Sequence, residues 1–280
     1  MGWHMTETVE EFLAAAGEFL NAERARNTVV LTVTETLRAT GAPGPEGPQL
    51  FGWWHDNGGT TRGTFMHTPT YPVLFSAMPE EAVRALADEL AGIRQPLTGV
   101  SAEEASARAF AAAWRDRTGT DAQLHRRMRL FRLGELAWPE PIPDGDARTA
   151  TKADRDLVIS WFDAFAREVN DPPRDHDAEA DERLSYGGIT LWQAGGIPVS
   201  MAGVTRAVGG MVRVGPVYTP PELRGRGYAG AATATVSQAA LDAGTADVVL
   251  YADLANPTSN ALYQRIGYRP VEDRMVLAFG

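Results

Sequence analysis

The sequence predicts an α/β protein made of two similar units. Helix-like and strand-like segments alternate along its 280 residues, a proline-rich segment divides them near the middle, and both halves close with a helix, a glycine and a strand. The dividing segment, Leu136–Asp146, has three alternating prolines, which hold the backbone extended and exclude a helix. We therefore expect one domain over residues 6–135, a linker over 136–146 and a second domain over 147–280.

The individual elements follow from the periodicity of the apolar residues. In the first half it predicts helices over Val9–Ala22, Thr28–Thr40, Pro79–Ala91 and Ser101–Arg117, and extended segments over Gln49–Trp54, Gly63–His67, Tyr71–Ala77 and Ala122–Leu133. In the second half it predicts helices over Ala153–Val169, Gly225–Ala243 and Pro257–Ile266, and strands near Tyr186–Gln193, Pro198–Val208, Met211–Tyr218, Val248–Ala252 and Arg274–Phe279. No element is predicted for Met1–Met5.

The closing patterns of the two halves also match at the level of residues. Residues 117–119 (Arg-Thr-Gly) are followed by 127–130 (Arg-Met-Arg-Leu), and residues 265–267 (Arg-Ile-Gly) are followed by 274–277 (Arg-Met-Val-Leu). This match indicates diverged copies of one α/β unit. A chance likeness of two short helix-to-strand endings is the alternative.

Composition excludes several classes of function. The formal charge of −10 argues against a nonspecific nucleic-acid binder. The sequence has no cysteine, and its five histidines lack the spacing of metal ligands, so we expect no metal site. No apolar run reaches the roughly 18 residues that span a bilayer, and no signal peptide is visible. We expect a cytoplasmic protein without a membrane or nucleic-acid partner.

A turn rich in glycine and arginine follows the predicted strand Met211–Tyr218. Residues 224–230 read Arg-Gly-Arg-Gly-Tyr-Ala-Gly and lead into a long, alanine-rich helix. Glycine lets a ligand approach the backbone, and the first amides of a helix lack partners and carry partial positive charge. Arg224 and Arg226 add formal charge, so the pattern indicates a site for a di- or polyphosphate.

Two other interpretations fit the same turn. Gly225, Gly227 and Gly230 satisfy the G-x-G-x-x-G pattern of dinucleotide-binding folds, with Asp253 as a candidate ribose ligand. However, Thr219–Arg224 separate these glycines from their strand, and too few residues follow Asp253 to complete that fold. The other interpretation is a turn that only starts a helix, and the two arginines disfavour it.

A second motif makes the pattern more specific. Residues 248–268 form a strand, a helix that begins after Asn256 and the ending Tyr-x-x-x-Gly-Tyr. Together with Arg224–Ala229, which matches [Q/R]-x-x-G-x-[G/A], this motif resembles the GNAT superfamily of acyl-CoA-dependent N-acetyltransferases. The resemblance covers residues 150–280 and implies an α/β (α+β) fold of two GNAT-like domains, each a mixed, mostly antiparallel central sheet flanked by helices.

The resemblance also implies roles for particular residues. Tyr263 is the implied acid that protonates the departing CoA thiolate, and Asn256 and Asn260 are implied contacts of the cofactor's pantetheine arm. A phenol keeps its proton at neutral pH, which suits this role; packing of a buried aromatic ring under the sheet is the alternative. The other implied ligands of acetyl-CoA are Val217, Tyr218, Thr219, Arg224, Gly225, Arg226, Gly227, Tyr228, Ala229 and Gly230.

The implied reaction is acetyl transfer from acetyl-CoA to a primary amine by direct attack through a tetrahedral intermediate. The acceptor is a small molecule or an amine of a peptide or protein, and the enzyme is a monomer or a homodimer. Asp253, Glu222 and a water relay remain open as the base. A non-catalytic acyl-CoA-binding sensor is the alternative function, but a sensor has no use for a thiolate acid.

The first half departs from the family pattern. Residues 76–81 (Ser-Ala-Met-Pro-Glu-Glu) place acids where the second half has glycine and arginine, and Arg115 stands in the position of Tyr263. We expect this half to lack an acyl-CoA site. Core packing is the favoured interpretation of Trp53, Trp54 and His55, with a wall of the acceptor site as the alternative. The acidic segment Asp171–Glu182 is interpreted as a solvated helix face or as a patch that steers a cationic amine.

Overall fold

The computed structural model describes residues 1–41, 49–93, 97–171 and 173–280. The chain forms two compact units, the first comprising Met1–Leu130, Ala252–Asn256 and Val271–Gly280, and the second comprising Phe131–Tyr251 and Pro257–Pro270. The last ten residues of the chain therefore pack with the first unit. The division of the sequence at the linker 136–146 stays a prediction about independently folding domains.

The first unit is an antiparallel sheet with one parallel pair, flanked by helices. Its elements are β1 (Gly2–Thr6), α1 (Val9–Ala22), α2 (Thr28–Thr40), β2 (Leu50–His55), β3 (Thr61–His67), β4 (Val73–Phe75), α3 (Glu80–Gly92), β5 (Gly99–Glu103), α4 (Glu104–Thr118) and β6 (Ala122–Leu133). Strands β1 to β5 lie in chain order; β4 and β5 are parallel, and the other neighbours are antiparallel.

The second half of the chain repeats this arrangement. Its elements are β7 (Asp146–Thr149), a 3-10 turn (Lys152–Asp154), α5 (Arg155–Glu168), α6 (Asp177–Ser185), β8 (Ile189–Ala194), β9 (Ile197–Val204), β10 (Met211–Tyr218), a second 3-10 turn (Pro221–Leu223), α7 (Tyr228–Asp242), β11 (Asp247–Asp253), α8 (Pro257–Arg265) and β12 (Tyr268–Phe279). Strands β7 to β10 are antiparallel neighbours, and β10 and β11 are parallel.

The repeated ending predicted from the sequence is present in both halves. Helix α4 ends at Gly119, whose φ of 73° is left-handed, and β6 follows; α8 ends before Gly267, whose φ is 104°, and β12 follows. Each of these two strands has 12 residues. The end of β12 pairs antiparallel with β5 in the first unit, with Met275 opposite Ala102. The chain's last strand is thus part of the first unit's sheet.

Four of the helices and strands were not predicted. One of them is β7, which begins at the last residue of the predicted linker and pairs antiparallel with β8. Strand β1 lies within the opening segment for which no element was predicted, and it pairs with β2 so that Trp3 faces Trp54. Strand β5 occupies the start of the predicted helix Ser101–Arg117, because Val100 favours a strand and burial of Ala102 in the core outweighs the weak strand preference of alanine. Helix α6 forms within the charged segment, because Ala180 and Arg183 are buried on one face.

The tryptophan pair of β2 is part of the first unit's core. Trp53 and Trp54 are 7% and 5% exposed, and His55 is half-buried. The Trp53 ring stacks on His4 with centroids 5.5 Å apart, and Trp54 meets Trp3 edge-on at 5.6 Å. Burial confirms the core-packing interpretation of the two tryptophans, whereas for the half-buried His55 it stays a prediction.

Hydrogen bonds to Asp154, directly before α5, allow a prediction about the stability of the protein. Asp154 accepts two hydrogen bonds of 2.7 Å from the Arg148 guanidinium and one of 2.8 Å from the Thr151 amide. Chiefly through Arg148, these bonds lower the pKa of Asp154 from 3.8 to about 2. A carboxylate with a lowered folded-state pKa stabilises the fold above its unfolded pKa and loses that contribution as pH falls through the folded value.

We therefore expect Asp154→Asn to reduce the free energy of unfolding by about 2 kcal/mol at pH 7 and by nearly nothing at pH 2. Urea unfolding followed by circular dichroism at several pH values measures this difference. Asp156→Asn, at an exposed position in the first turn of α5, is the matched control. An equal loss at both pH values would contradict the assigned role of the charge.

Candidate functional site

Strands β10 and β11 run side by side and then part. Their register pairs Met211 with Asp247 and continues to Val214 with Leu250; within the described residues the ladder ends there, although β10 continues to Tyr218. Against β9 on its other side, β10 is irregular between Val214 and Val217. The end of β10 thus has one edge that β11 does not cover, which opens a backbone edge to a ligand.

Contacts on the other side hold this strand end in place. The Ser200 hydroxyl lies 3.0 Å from the Tyr218 carbonyl oxygen and 2.8 Å from Thr219 Oγ1, and all three residues are buried. The Tyr218 ring packs against Trp161 of α5, with centroids 6.0 Å apart. These contacts hold the backbone of Tyr218 and Thr219 in position at the end of β10. Val217 precedes them on the part of β10 that has left β11.

The glycine–arginine turn leads from this edge into α7. Gly225 and Gly227 have φ angles of 76° and 85°, a conformation that strains any residue with a Cβ. The Ala231 amide donates to the Gly227 carbonyl at 3.1 Å, which is the first bond of the helix. The amides of Tyr228, Ala229 and Gly230 precede it, so they have no acceptor within the helix and face outward at its positive end.

The two arginines of this turn have different surroundings. Arg224 donates from Nε to the Thr219 carbonyl at 2.9 Å and pairs with Glu168 of α5, so it connects the end of β10 to the start of the turn. Arg226 donates only weakly to the Glu222 carbonyl, at 3.4 Å. Arg224 therefore shapes the turn, and Arg226 supplies positive charge at the N-terminus of α7.

The segment interpreted as a linker lies against this turn. A Cβ at Gly227 would stand 3.6 Å from Pro143, and one at Gly230 would stand 3.7 Å from Pro139 and 3.0 Å from Leu262 of α8. The Trp192 indole fixes the end of the segment by donating to the Asp144 carbonyl at 3.2 Å. Sequence reasoning missed these contacts, because alternating prolines indicate an extended chain and do not indicate what it touches.

Tyr263 lies on α8 in apolar surroundings. Its side chain is 8% exposed, and its ring is 6.3 Å from Phe131 and 6.1 Å from Tyr268, measured between centroids. Burial raises the pKa of Tyr263 to about 12. The phenol therefore keeps its proton at any pH that an enzyme meets. The same burial agrees with a packing role, so geometry alone leaves both interpretations open.

The remaining predicted residues are distributed over both compact units. Asn260 lies on α8 one turn before Tyr263, and Glu222 lies in the 3-10 turn after β10, both in the second unit. Asn256 and Asp253 belong to the first unit. Asp253 accepts a hydrogen bond from the Ala255 amide at 2.8 Å, and its carbonyl accepts one from the Asn256 amide at 3.0 Å. Asp253 thus has a structural role in the turn before α8.

The parallel strands β4 and β5 of the first unit correspond to β10 and β11 of the second, but a side chain bridges them where β10 and β11 part. There Arg274, 6% exposed, donates to the Phe75 carbonyl at the end of β4 (2.7 Å) and to the Ser101 carbonyl of β5 (3.1 Å). Glu272 pairs with Arg274 at 3.0 Å. A side chain therefore occupies the place between the strands, and α3 begins with Glu80 and Glu81 in its first turn.

The second half of the acidic segment Asp171–Glu182 forms the start of α6, which begins at Asp177; residue 172 lies outside the described residues. Asp177 and Asp181 both pair with Arg155, and Glu182 pairs with Arg206. These pairs neutralise much of the segment's charge. The geometry favours the helix-face interpretation over a patch that steers a cationic amine.

Two kinds of feature are absent from the described part of the chain. No group of three or more His, Asp or Glu side chains in that part of the chain could hold a metal ion. Among the described helices, none combines the length and apolarity needed to cross a bilayer.

Residues 200–277, which contain the parted strand, the glycine–arginine turn and the motif of α8, match the family model described as FR47-like protein. No curated protein matches the chain at a significant level. An acetyltransferase of the GNAT family from Colwellia psychrerythraea is 11% identical, with a TM-score of 0.60, over 100% of this chain and 99% of its own. A GCN5-related N-acetyltransferase from Sphaerobacter thermophilus is 16% identical, with a TM-score of 0.62, over 98% and 94%.

A structure with two such domains also matches along the whole chain. This tandem GNAT protein from the clavulanic acid biosynthesis pathway is 16% identical, with a TM-score of 0.56, over 99% of this chain and 98% of its own. The protein has the GNAT fold. The predicted resemblance and the predicted fold class, two GNAT-like domains with mixed, mostly antiparallel sheets flanked by helices, are confirmed.

Proposed function

We propose that this GNAT-fold protein is an N-acetyltransferase that moves an acetyl group from acetyl-CoA to a primary amine. The observation that carries the proposal is the parting of β10 and β11 directly before a glycine–arginine turn that opens α7. These features supply an open strand edge for the pantetheine amides and a cluster of amides and arginines for the pyrophosphate.

The residues present fit acetyl-CoA as the co-substrate. The left-handed Gly225 and Gly227 turn the backbone so that the amides at the start of α7 face outward, and the macrodipole of a 15-residue helix adds positive charge. Arg224, Arg226 and residues 225–230 are the proposed ligands of the pyrophosphate. Val217, Tyr218, Thr219, Asn256 and Asn260 are the proposed contacts of the pantetheine arm and the thioester.

In the proposed reaction, the neutral amine attacks the thioester carbonyl carbon and forms a tetrahedral adduct. Amides at the end of β10 stabilise the oxyanion. The carbon–sulfur bond then breaks with its electron pair leaving on sulfur, and Tyr263 gives its phenolic proton to that thiolate. The amine loses one proton to solvent water, and a proton from solvent returns to the Tyr263 phenolate, so the enzyme ends in its starting state. No covalent bond to the protein forms.

We further propose that the first half, residues 6–135, has no acyl-CoA site. The Arg274 guanidinium between β4 and β5, and the two acids at the start of α3, support this proposal because they fill the strand gap and repel pyrophosphate. One acyl-CoA per chain is the expected stoichiometry, and isothermal titration calorimetry with CoA measures it.

The test of the proposed function uses the absence of cysteine. Because the sequence has no thiol, CoA released from acetyl-CoA can be titrated with a thiol reagent without background from the protein. A panel of primary amines should release CoA at rates that depend on the amine. Calorimetry should show acetyl-CoA binding without any amine. Absence of acetyl-CoA binding would refute the proposal, and binding without turnover on any amine would support the sensor alternative.

A further inference from the structure

Arg213 is a positively charged side chain that the proposed reaction does not use. It lies on β10 opposite Val249 of β11, one position before the ladder between the two strands ends. Its backbone is anchored, since the Thr205 hydroxyl accepts from its amide at 2.9 Å and its carbonyl accepts from the Thr205 amide at 3.0 Å. Within the described residues, no acceptor lies within hydrogen-bond distance of its half-buried guanidinium.

The groups around this guanidinium do not neutralise it. Its charged and ionisable neighbours are Arg183, Glu179, Tyr186 and Tyr251. The carboxylate among them, Glu179, is already engaged by Arg183 at 3.3 Å, by Arg174 at 2.7 Å and by His176 at 3.4 Å.

Arg183 is itself occupied. It donates to the Gly215 carbonyl at 2.8 Å, directly beside the place where the strands part. Burial, and after it the like charge of Arg183, lowers the pKa of Arg213 to about 10, so the side chain is still a cation at neutral pH. Arg213 therefore carries positive charge that its neighbours do not compensate, beside the place where β10 and β11 part.

Arg213 lies beside the gap that the acceptor has to reach. It is close to Arg183 and Glu179 of α6, which also reaches β10 through the bond from Arg183 to the Gly215 carbonyl. Side chains alternate along a strand, so Val212 and Val214 point to the other face of the sheet, and α7 is a second helix that packs on β10. If acetyl-CoA enters from the α7 side, the amine has to reach the thioester through the gap between β10 and β11 from the α6 side. An acceptor in that position passes beside Arg213.

We propose that Arg213 binds a carboxylate of the acceptor, so that the substrate is an amine carrying its own carboxylate, as in an amino acid. A planar guanidinium pairs with the two oxygens of a carboxylate through two parallel hydrogen bonds. An uncharged or purely cationic amine leaves Arg213 without a partner in a half-buried place. This inference rests on the proposed acetyl transfer and names the class of acceptor for the same site.

The experiment compares pairs of acceptor amines that differ only in whether they carry a carboxylate. Glycine and alanine are tested against their amides, with aminomethylphosphonate as a second anion, and CoA release gives kcat/KM for each. The wild-type protein should prefer each acid over its amide at least tenfold, about the effect of one charged hydrogen bond. Arg213→Gln should lose this preference, and Arg213→Lys should keep part of it, while the affinity for acetyl-CoA stays unchanged.

Arg206→Gln is the matched control, because Arg206 already pairs with Glu182 and lies over the Tyr186 ring in the same unit. It should leave the preference for acids intact. Equal rates with acids and amides in the wild-type protein would overturn the proposal, and so would a preference for the phosphonate over the carboxylate. A preference that persists in Arg213→Gln would also overturn it.

A second measurement separates this inference from the proposed function. Calorimetric binding of N-acetylglycine, the expected product, requires no turnover and should be lost in Arg213→Gln but not in Arg206→Gln. If acetyl-CoA fails to bind while this difference persists, the acetyl transfer fails and the anion site stands. If acetyl-CoA binds and N-acetylglycine binds both variants equally, the anion site fails.

Discussion

Replacing Arg224 with glutamine together with Gly227 with alanine is expected to weaken acetyl-CoA binding at least a hundredfold. Arg224 contributes charge and holds the turn through its bond to the Thr219 carbonyl. Charged hydrogen bonds contribute about 1.5–3 kcal/mol each, so losing two of them accounts for this factor. Calorimetric titration with acetyl-CoA measures the change directly.

The Gly227 substitution acts through the backbone. Pro143 leaves ordinary van der Waals space for a Cβ, but the φ of 85° is left-handed and disfavours alanine by about 1 kcal/mol. Relaxing that strain turns the amides at the start of α7 away from the phosphate. Gly244→Ala, at φ 81° near the end of the same helix, introduces the same strain away from the site and should leave affinity unchanged.

Arg155→Gln is the corresponding control for Arg224, since Arg155 forms ion pairs with α6 and makes no contact with the turn. Together, the two control substitutions show whether a lost ion pair or a strained glycine is sufficient to weaken binding. Retained affinity in the Arg224→Gln, Gly227→Ala variant would refute the assignment of the site.

Replacing Tyr263 with phenylalanine is expected to lower kcat at least tenfold with little change in the affinity for acetyl-CoA. The substitution removes only the hydroxyl, so the ring contacts with Phe131 and Tyr268 remain. A proton delivered to the departing thiolate contributes about a hundredfold or more in typical general acid catalysis. Because burial raises the pKa of Tyr263 to about 12, this residue should cause no loss of activity up to pH 10.

Tyr268→Phe provides the matched control. The Tyr268 hydroxyl lies 2.7 Å from the buried Ser237 hydroxyl, so its removal should lower the free energy of unfolding by about 1 kcal/mol. It should leave kcat unchanged. Full activity of Tyr263→Phe would establish the packing interpretation of Tyr263 and remove it from the mechanism.

Much of the fold follows from local patterns in the sequence. The bounds of α1, α2, β6 and β10 coincide with the predicted segments, because apolar periodicity and helix-ending residues such as Gly41 and Gly119 act over a few residues. Strand β5 and helix α6 were missed because burial against distant elements decides them. Strand β1 forms because β2 offers it an edge, which periodicity along the chain does not indicate.

The sequence by itself determined the glycine–arginine turn and the residues placed on α7 and α8. Left-handed glycines, the start of a helix and a Tyr–Gly ending are properties of short segments, so their composition specifies them. Only the tertiary structure decided where β10 leaves β11, that Pro139 and Pro143 pack on the turn, and that Arg213 lies near Arg183 of α6. These features depend on which distant segments pack together, and that packing is set by the burial of the whole core.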